Sequence, residues 1–408
     1  MGRSMGLDTN SKMISGLLHD HEMLRRVDWP EWLSVAAPAE ANAFDKSAVT
    51  QRFSRNGYEW DIHGTLYAPV KERLPGIGFV LFHGGAGSEK EVEETPDGRP
   101  GLASVLAGQG FRCLAVTYPG HIPASGAWTT PVSERQPVYL LDRELPAEEI
   151  ADRHDKCTFN TIVEGAALLV EASMPGYQLL AFGHSTGGPM SMFLYRFLKT
   201  ARVIGLVGWG SGGPDGWYRE WVAWCSDKKD AVAGPNSISR RSVESFRKAG
   251  YEDARELCPW GMAEDYFAWA DKFKSQLKTG LCDNQHSAHV DALMATAKRV
   301  GLPAEEYVDY LRDPDPDWLA GVGVLLMVGE NDRNHWLIGD SEDKKLEMFM
   351  GYKFAQRARL AKVMLVSRYG HFGYVGAYNE KIAFIWIDAL MAGFFDGVKR
   401  AAMVEGEP

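Results

Sequence analysis

The 408-residue sequence is poor in the features that mark several protein classes. It has five cysteines, Cys113, Cys157, Cys225, Cys258 and Cys282, with no CxxC and no cysteine–histidine cluster at zinc-ligand spacing. An odd, scattered set excludes a disulfide scaffold and reads as reduced, mostly buried thiols. Cationic excess is absent. The 44 Lys+Arg stand against 54 Asp+Glu, a formal charge of −10, which argues against a surface built for the nucleic-acid backbone. No apolar run approaches the roughly 18 residues of a membrane span. The N-terminal stretch lacks the continuous apolar core of a secretory signal, and Gly6 stands where the myristoylation pattern needs Ser or Thr. Internal repeats, low-complexity tracts and a Walker A sequence are missing as well. The expectation is a cytoplasmic protein with no nucleic-acid or membrane partner. A homo-oligomer is compatible with this composition.

What is present is ordinary globular material: 45% hydrophobic and 24% charged residues, enough apolar surface to offset chain entropy. Residues 1–46 read as a helical or irregular leader, with Met23, Leu24, Val27 and Trp32 available to pack on the body. AVTQRFSR and YEWDIHGTLYAP, joined by Asn56-Gly57, predict a hairpin, because that pair adopts the positive φ angles of a tight turn. Short apolar runs then alternate with amphipathic segments. GFVLFHGG, RCLAVTYPG, YQLLAFGHS, ARVIGLVGWG, VGVLLMVGEND and KVMLVSRYGH read as strands. GLASVLAGQG, TFNTIVEGAALLVEAS, GPMSMFLYRFLK, KLEMFMGYKFAQRA and EKIAFIWIDALMAGFF read as helices. Strands that are apolar on both faces, alternating with helices, imply a mostly parallel α/β sheet. The alternation breaks over 213–320, which reads as a helical insertion within one α/β core of 47–212 and 321–400, with a tail at 401–408.

The sharpest motif is Gly183-His184-Ser185-Thr186-Gly187, set between the strand LLAFG and a helix opening at Gly188-Pro189. A sharp strand-to-helix turn would lift Ser185 above the sheet, provided its neighbours are small enough for strand and helix to approach. A serine hydroxyl needs a base, and the base an orienting carboxylate. His371 follows the last strand, flanked by Gly370 and Gly373, which leave space for an imidazole. Asp332 ends the preceding strand, with Asp215 and Glu330 as the rival carboxylates. The oxyanion of a tetrahedral intermediate requires backbone donors. Thr186 offers one, and the loop His83-Gly84-Gly85-Ala86-Gly87 offers another, at Gly85 or Ala86.

These features together resemble the α/β-hydrolase family: an HGG loop, a G-x-S-x-G elbow, a carboxylate after a late strand and a final Gly-His-x-Gly. The resemblance covers about residues 47–397 outside the insertion. It implies an eight-stranded, mostly parallel sheet and a serine hydrolase that uses neither a metal nor an organic cofactor on a small-molecule ester. It also implies a cap over the nucleophile, inserted after the sixth strand. Thr95-Pro96-Asp97-Gly98-Arg99-Pro100-Gly101 is similar to a segment of bacterial esterases that de-esterify sulfonylurea herbicides. Those relatives place their acid after the sixth strand, where this chain reads Gly208-Trp209-Gly210-Ser211. Asp97 and Arg99 read as residues that order their loop.

The insertion carries six of the chain's 13 tryptophans, Trp217, Trp221, Trp224, Trp260, Trp269 and Trp318. Trp217, Trp221 and Trp224 share one helix face and suit an apolar wall for an organic substrate. Trp217, Trp221 and His184 are the candidate substrate contacts. His286 and His289 have helical spacing but no third ligand, so no metal is expected there. Gly208-x-Gly210-x-x-Gly213 matches a dinucleotide fingerprint but does not open a βαβ unit. Lactone, amide or carbon–carbon bond hydrolysis and acyl transfer remain open with the same triad. A non-catalytic binding protein on this fold is the rival from another class, and Ser185, Asp332 and His371 together argue against it.

Overall fold

The Asn56-Gly57 turn forms as the sequence requires: both residues have positive φ, 52° and 81°, and the two strands on either side pair antiparallel from Arg55↔Tyr58 to Phe44↔Pro69. The Asn56 amide also donates to the Lys156 carbonyl at 3.0 Å, which fastens the turn to the helix beside it. The computed structural model describes residues 24–84, 87–122, 136–210, 290–309, 314–329, 336–337, 348–349, 358, 360–367, 369–370 and 372–395.

The strands in chain order are β1 (Leu24–Val27), β2 (Phe44–Arg55), β3 (Tyr58–Pro69), β4 (Ile77–Phe82), β5 (Arg112–Thr117), β6 (Gln178–His184), β7 (Arg202–Trp209), β8 (Gly323–Gly329), β9 (Trp336–Leu337), β10 (Met348–Phe349) and β11 (Leu360–Val366). Nine form one sheet in the order β1-β11-β8-β7-β6-β4-β5-β3-β2. β3 is antiparallel to both of its neighbours and every other pairing is parallel, so β3 alone opposes the common direction. Eight of these strands make the mostly parallel sheet that the resemblance implies. The ninth, β1, comes from the segment read as helical or irregular and pairs parallel with β11 at the edge, Leu24↔Val363 to Val27↔Val366. Because of β1, the strand counted as sixth in the sequence is β7.

Strand side chains alternate between two buried layers, as a period of two demands. Val80, Phe82, Leu114, Val116, Leu179 and Ala181 face one layer, covered by the helices Phe159–Ser173 and Gly187–Phe193. Phe79, Leu81, Cys113, Ala115, Leu180 and Phe182 face the other, covered by Leu102–Gly108 and Glu380–Met391. Burying a large apolar side chain stabilises by about 1.5–3 kcal/mol, whereas strand propensity spans only about 1 kcal/mol. Burial therefore decides which runs occupy the centre. Cys113 is a buried free thiol, and Cys157 is buried as well. No helix among the described residues is long and apolar enough to cross a membrane.

Of the insertion, 213–289 lie outside the described residues, and with them Asp215, Trp217, Trp221, His286 and His289. Its far end forms the helices Val290–Val300, Glu305–Val308 and Pro316–Leu319. Glu306 fastens this end to the core through Arg55 and through the Thr158 hydroxyl, which donates at 2.8 Å. Trp318, the one described tryptophan of the insertion, stacks on Tyr195 at 3.9 Å and lines a cavity of about 290 Å³ with Ala201, Arg202 and Val203, at the start of β7. That is the opposite end of the strands from Ser185, roughly 20 Å away by strand rise. The segment KLEMFMGYKFAQRA is not helical throughout, since Met348 and Phe349 pair antiparallel with Leu337 and Trp336.

The described part of the leader packs into the core. Trp32 is fully buried, and its indole N–H donates to the Tyr369 hydroxyl at 3.2 Å. Trp32→Ala should lower the unfolding free energy by about 3–5 kcal/mol, read by urea titration. A change below about 1 kcal/mol would show that the leader only rests on the surface.

Candidate active site

The strand order places a switch point at β4. The chain leaves β4 to pair β5 on one side, then crosses to β6 on the other. Crevices open beyond the carboxyl ends of strands at such points. Two loops meet there, because Phe82 pairs with Gly183 in register. One starts at His83 and the other is the turn at Ser185.

Ser185 has φ 51°, the left-handed region, which costs a residue with a side chain roughly 1–2 kcal/mol. β6 ends at His184, and the next helix spans Gly187–Phe193. Two glycines make so sharp a turn sterically feasible. A Cβ on Gly183 would lie 2.4 Å from the carbonyl carbon of Gly187, and one on Gly187 would lie 2.5 Å from the Phe82 carbonyl oxygen. Both contacts are with backbone, which cannot yield. Gly84 meets the turn from the other loop: its Cβ would stand 2.6 Å from His184 Nδ1 and 3.4 Å from Ser185 Cβ. The HGG loop therefore lies directly against the serine, and Gly87 N–H closes it by donating to the Gly84 carbonyl at 3.1 Å. Gly85 and Ala86, the candidate oxyanion donors, lie outside the described residues. Thr186 begins the helix directly after the serine.

Asp332, Glu330 and His371 also lie outside the described residues, but the flanks of His371 are defined. Phe372 and Tyr374 place their rings 5.4 and 4.2 Å from that of His184, the residue before the serine. His184, read as a substrate contact, is 1% exposed and sits inside the protein against these rings. Gly373 serves packing. A Cβ there would come within 2.2 Å of the Trp209 ring and 2.5 Å of Tyr369. Trp209 in turn donates to the Gly370 carbonyl at 3.3 Å.

Two further contacts tie these loops together, and of their partners sequence patterning singled out Asp97 and Arg99 but not Glu91, Tyr374 or Asn379. Tyr374 donates to the buried Glu91 carboxylate at 2.5 Å, and that carboxylate occupies the space a Gly87 side chain would need. Arg99 crosses from the TPDGRPG segment to donate to Asn379 Oδ1 and the Gly376 carbonyl, both at 2.9 Å. Its Nε–H also donates to Asp97 at 2.8 Å. Burial alone would raise the Asp97 carboxyl, but Arg99 and the Thr95 hydroxyl outweigh it and hold the group below its ordinary range.

Behind the HGG loop sit His63, His83 and His121, each at most 3% exposed. Burial, with the neighbouring His121, holds His63 near pKa 3, and burial holds His121 near pKa 4. His83 is likewise held well below its ordinary range. All three are therefore neutral at pH 7.

A model of the alpha/beta hydrolase family matches residues 79–382, about three quarters of the chain. The chain belongs to that family. No curated protein matches it. Solved structures similar to it include a serine hydrolase from the polyaromatic hydrocarbon-degrading bacterium Cycloclasticus zankles. That protein is 15% identical, with 86% of this chain and 100% of the other covered and a TM-score of 0.46. The 2-hydroxy-6-oxo-6-phenylhexa-2,4-dienoate hydrolase of Rhodococcus sp. strain RHA1 is also 15% identical, with 86% and 99% covered and a TM-score of 0.44. A thermophilic esterase from Thermogutta terrifontis is 12% identical, with 86% and 99% covered and a TM-score of 0.42.

The neutral histidines carry a consequence for acid stability. Unfolded, each binds a proton below about pH 6.5, whereas folded it resists until pH 3–4 for His63 and His121. The unfolded state binds more protons in that window, so stability is full above pH 6.5 and falls as the pH drops through it. At about 1.4 kcal/mol for each pH unit of displacement, the summed loss is several kcal/mol. Urea titrations between pH 7.5 and 4.5 should show this fall, and His63→Phe should flatten it. An equally steep fall in the variant would remove His63 as a cause.

Proposed function

We propose that the chain is a serine hydrolase that cleaves a carboxylic ester of a small organic molecule through an acyl-enzyme. The observation that carries this reading is the left-handed Ser185 between Gly183 and Gly187, with Gly84 of the HGG loop against its Cβ. A strained serine at the carboxyl end of a central strand, beside a glycine-rich loop, suits a nucleophile and offers a packing residue nothing.

In this scheme Ser185 Oγ attacks the ester carbonyl while His371 takes its proton. Asp332 holds the imidazole tautomer and stabilises the imidazolium. Amides of Thr186 and of Gly85 or Ala86 receive the oxyanion. His371 then gives its proton to the leaving alcohol, activates water, and the acyl group departs as the acid. Trp217 and Trp221 would form part of the apolar wall around the substrate. The chemistry needs no metal or organic cofactor, and lactone or amide substrates would use the same groups.

A fluorophosphonate probe should label wild-type Ser185, located by peptide mass mapping. Ser185→Ala should lose about 10³-fold or more in kcat on p-nitrophenyl esters while melting within a few degrees of wild type. Undiminished turnover in the variant would withdraw the assignment. The acid is decided by a pair of variants. Asp332→Asn should cost about 10³-fold or more in kcat, against less than about threefold for Asp215→Asn. The reverse order would move the acid to the segment after β7.

A further inference from the structure

The end of β5 and the turn after it hold the HGG loop and the residues just beyond it at three points. Thr117 Oγ1 accepts the Glu89 amide at 2.8 Å. The Tyr118 hydroxyl donates to the His83 carbonyl at 2.6 Å. His121 Nδ1 lies 3.0 Å from the Gly87 carbonyl. At the near end of the loop, His83 Nδ1 lies 2.7 Å from the Gly84 carbonyl. A carbonyl only accepts, so both Nδ1 atoms carry the proton. The rings form one buried cluster: His83 stacks on Tyr118 at 4.0 Å, and His121 sits 5.2 and 5.3 Å from the two.

A phenylalanine would fill the place of His121 without the cost of burying an imidazole. What the imidazole adds is a fixed donor on the last carbonyl of the loop. Its position on Gly87, with the Gly87 amide returned to Gly84, pins the chain on both sides of residues 85 and 86. We propose that His121 is a positioning residue for the oxyanion loop, acting through the Gly87 carbonyl, with His83 and Tyr118 bracing the near end. This rests on the reading of Ser185 as nucleophile and of that loop as its oxyanion hole. Neither histidine touches the reacting atoms in this scheme.

The test uses side-chain geometry. An asparagine amide nitrogen stands where imidazole Nδ1 stands, two bonds beyond Cβ, whereas the glutamine amide lies one carbon further out. The full-length His121→Asn, His121→Gln and His121→Phe proteins are compared for the rate of Ser185 phosphonylation by a fluorophosphonate, split into the limiting rate and the half-saturating probe concentration. Misplacing an oxyanion donor costs about 10²-fold. His121→Phe and His121→Gln should therefore lose about that factor in limiting rate, with half-saturation changed less than about threefold. His121→Asn should stay within about threefold of wild type. Equal rates in all three variants, or an asparagine variant as impaired as the glutamine one, would overturn the proposal. Should His121→Phe fail to fold, the asparagine–glutamine pair carries the same decision, with circular dichroism confirming both are folded. Absence of labelling in the wild type would instead overturn the serine-hydrolase reading, and this inference with it.

Discussion

Everything at the site depends on one steric bargain at the end of β6. Ser185 holds a backbone conformation that costs it roughly 1–2 kcal/mol, and the turn persists because no side chain stands at Gly183 or Gly187 to force it open. The strain is offset elsewhere, by the two apolar layers that clamp β4, β6 and β7 between helices. A residue so placed cannot relax without displacing the helix Gly187–Phe193 from β4. The hydroxyl is thus delivered to a fixed point at the rim of the sheet.

The loops around that point are built as a connected set. The HGG loop is joined to the end of β5 by Thr117, Tyr118 and His121, and Tyr374 hydrogen-bonds Glu91 just beyond it. The segment after β11 is held from below by Trp209 and Trp32 and from the side by Arg99. Tyr369, which accepts from Trp32, donates its own O–H to the Ala377 carbonyl. The leader and the TPDGRPG segment, both remote from the serine in sequence, therefore brace the chain on either side of residue 371. Rigid supporting shells of this kind are what bring reacting groups to within the tolerance catalysis demands.

Polar groups inside this shell follow a consistent electrostatic pattern. The three histidines behind the HGG loop are neutral because burial penalises their charged form. A neutral imidazole can present its Nδ1–H to a buried carbonyl without the desolvation cost of burying a cation. Charge enters the shell in the buried Glu91 carboxylate, which accepts from Tyr374; further out, Arg55 with Glu164 and Glu306 ties the end of the insertion to the hairpin.

Local chemistry made much of this legible from the sequence. Asn56-Gly57 specifies its turn, period-two apolar runs specify buried strands, and the spacing of Gly183, Ser185 and Gly187 specifies an elbow. Each of these rests on forces between near neighbours, which a linear reading captures. What the sequence could not decide depends on partners tens to hundreds of residues away. Four residues, Leu24–Val27, are too few to show a period and become a strand only because β11 offers an open edge. Trp318 shares its composition with a substrate wall, yet it packs on Tyr195 at the far end of the sheet. Gly373 reads as room for an imidazole and turns out to be room for the Trp209 ring. His121 looks like an incidental residue after a strand until folding sets it against the Gly87 carbonyl. The sequence by itself determined the class of fold and the turn that carries Ser185; the tertiary structure alone decided which distant side chains support them, because contact across a sheet leaves no periodic trace along the chain.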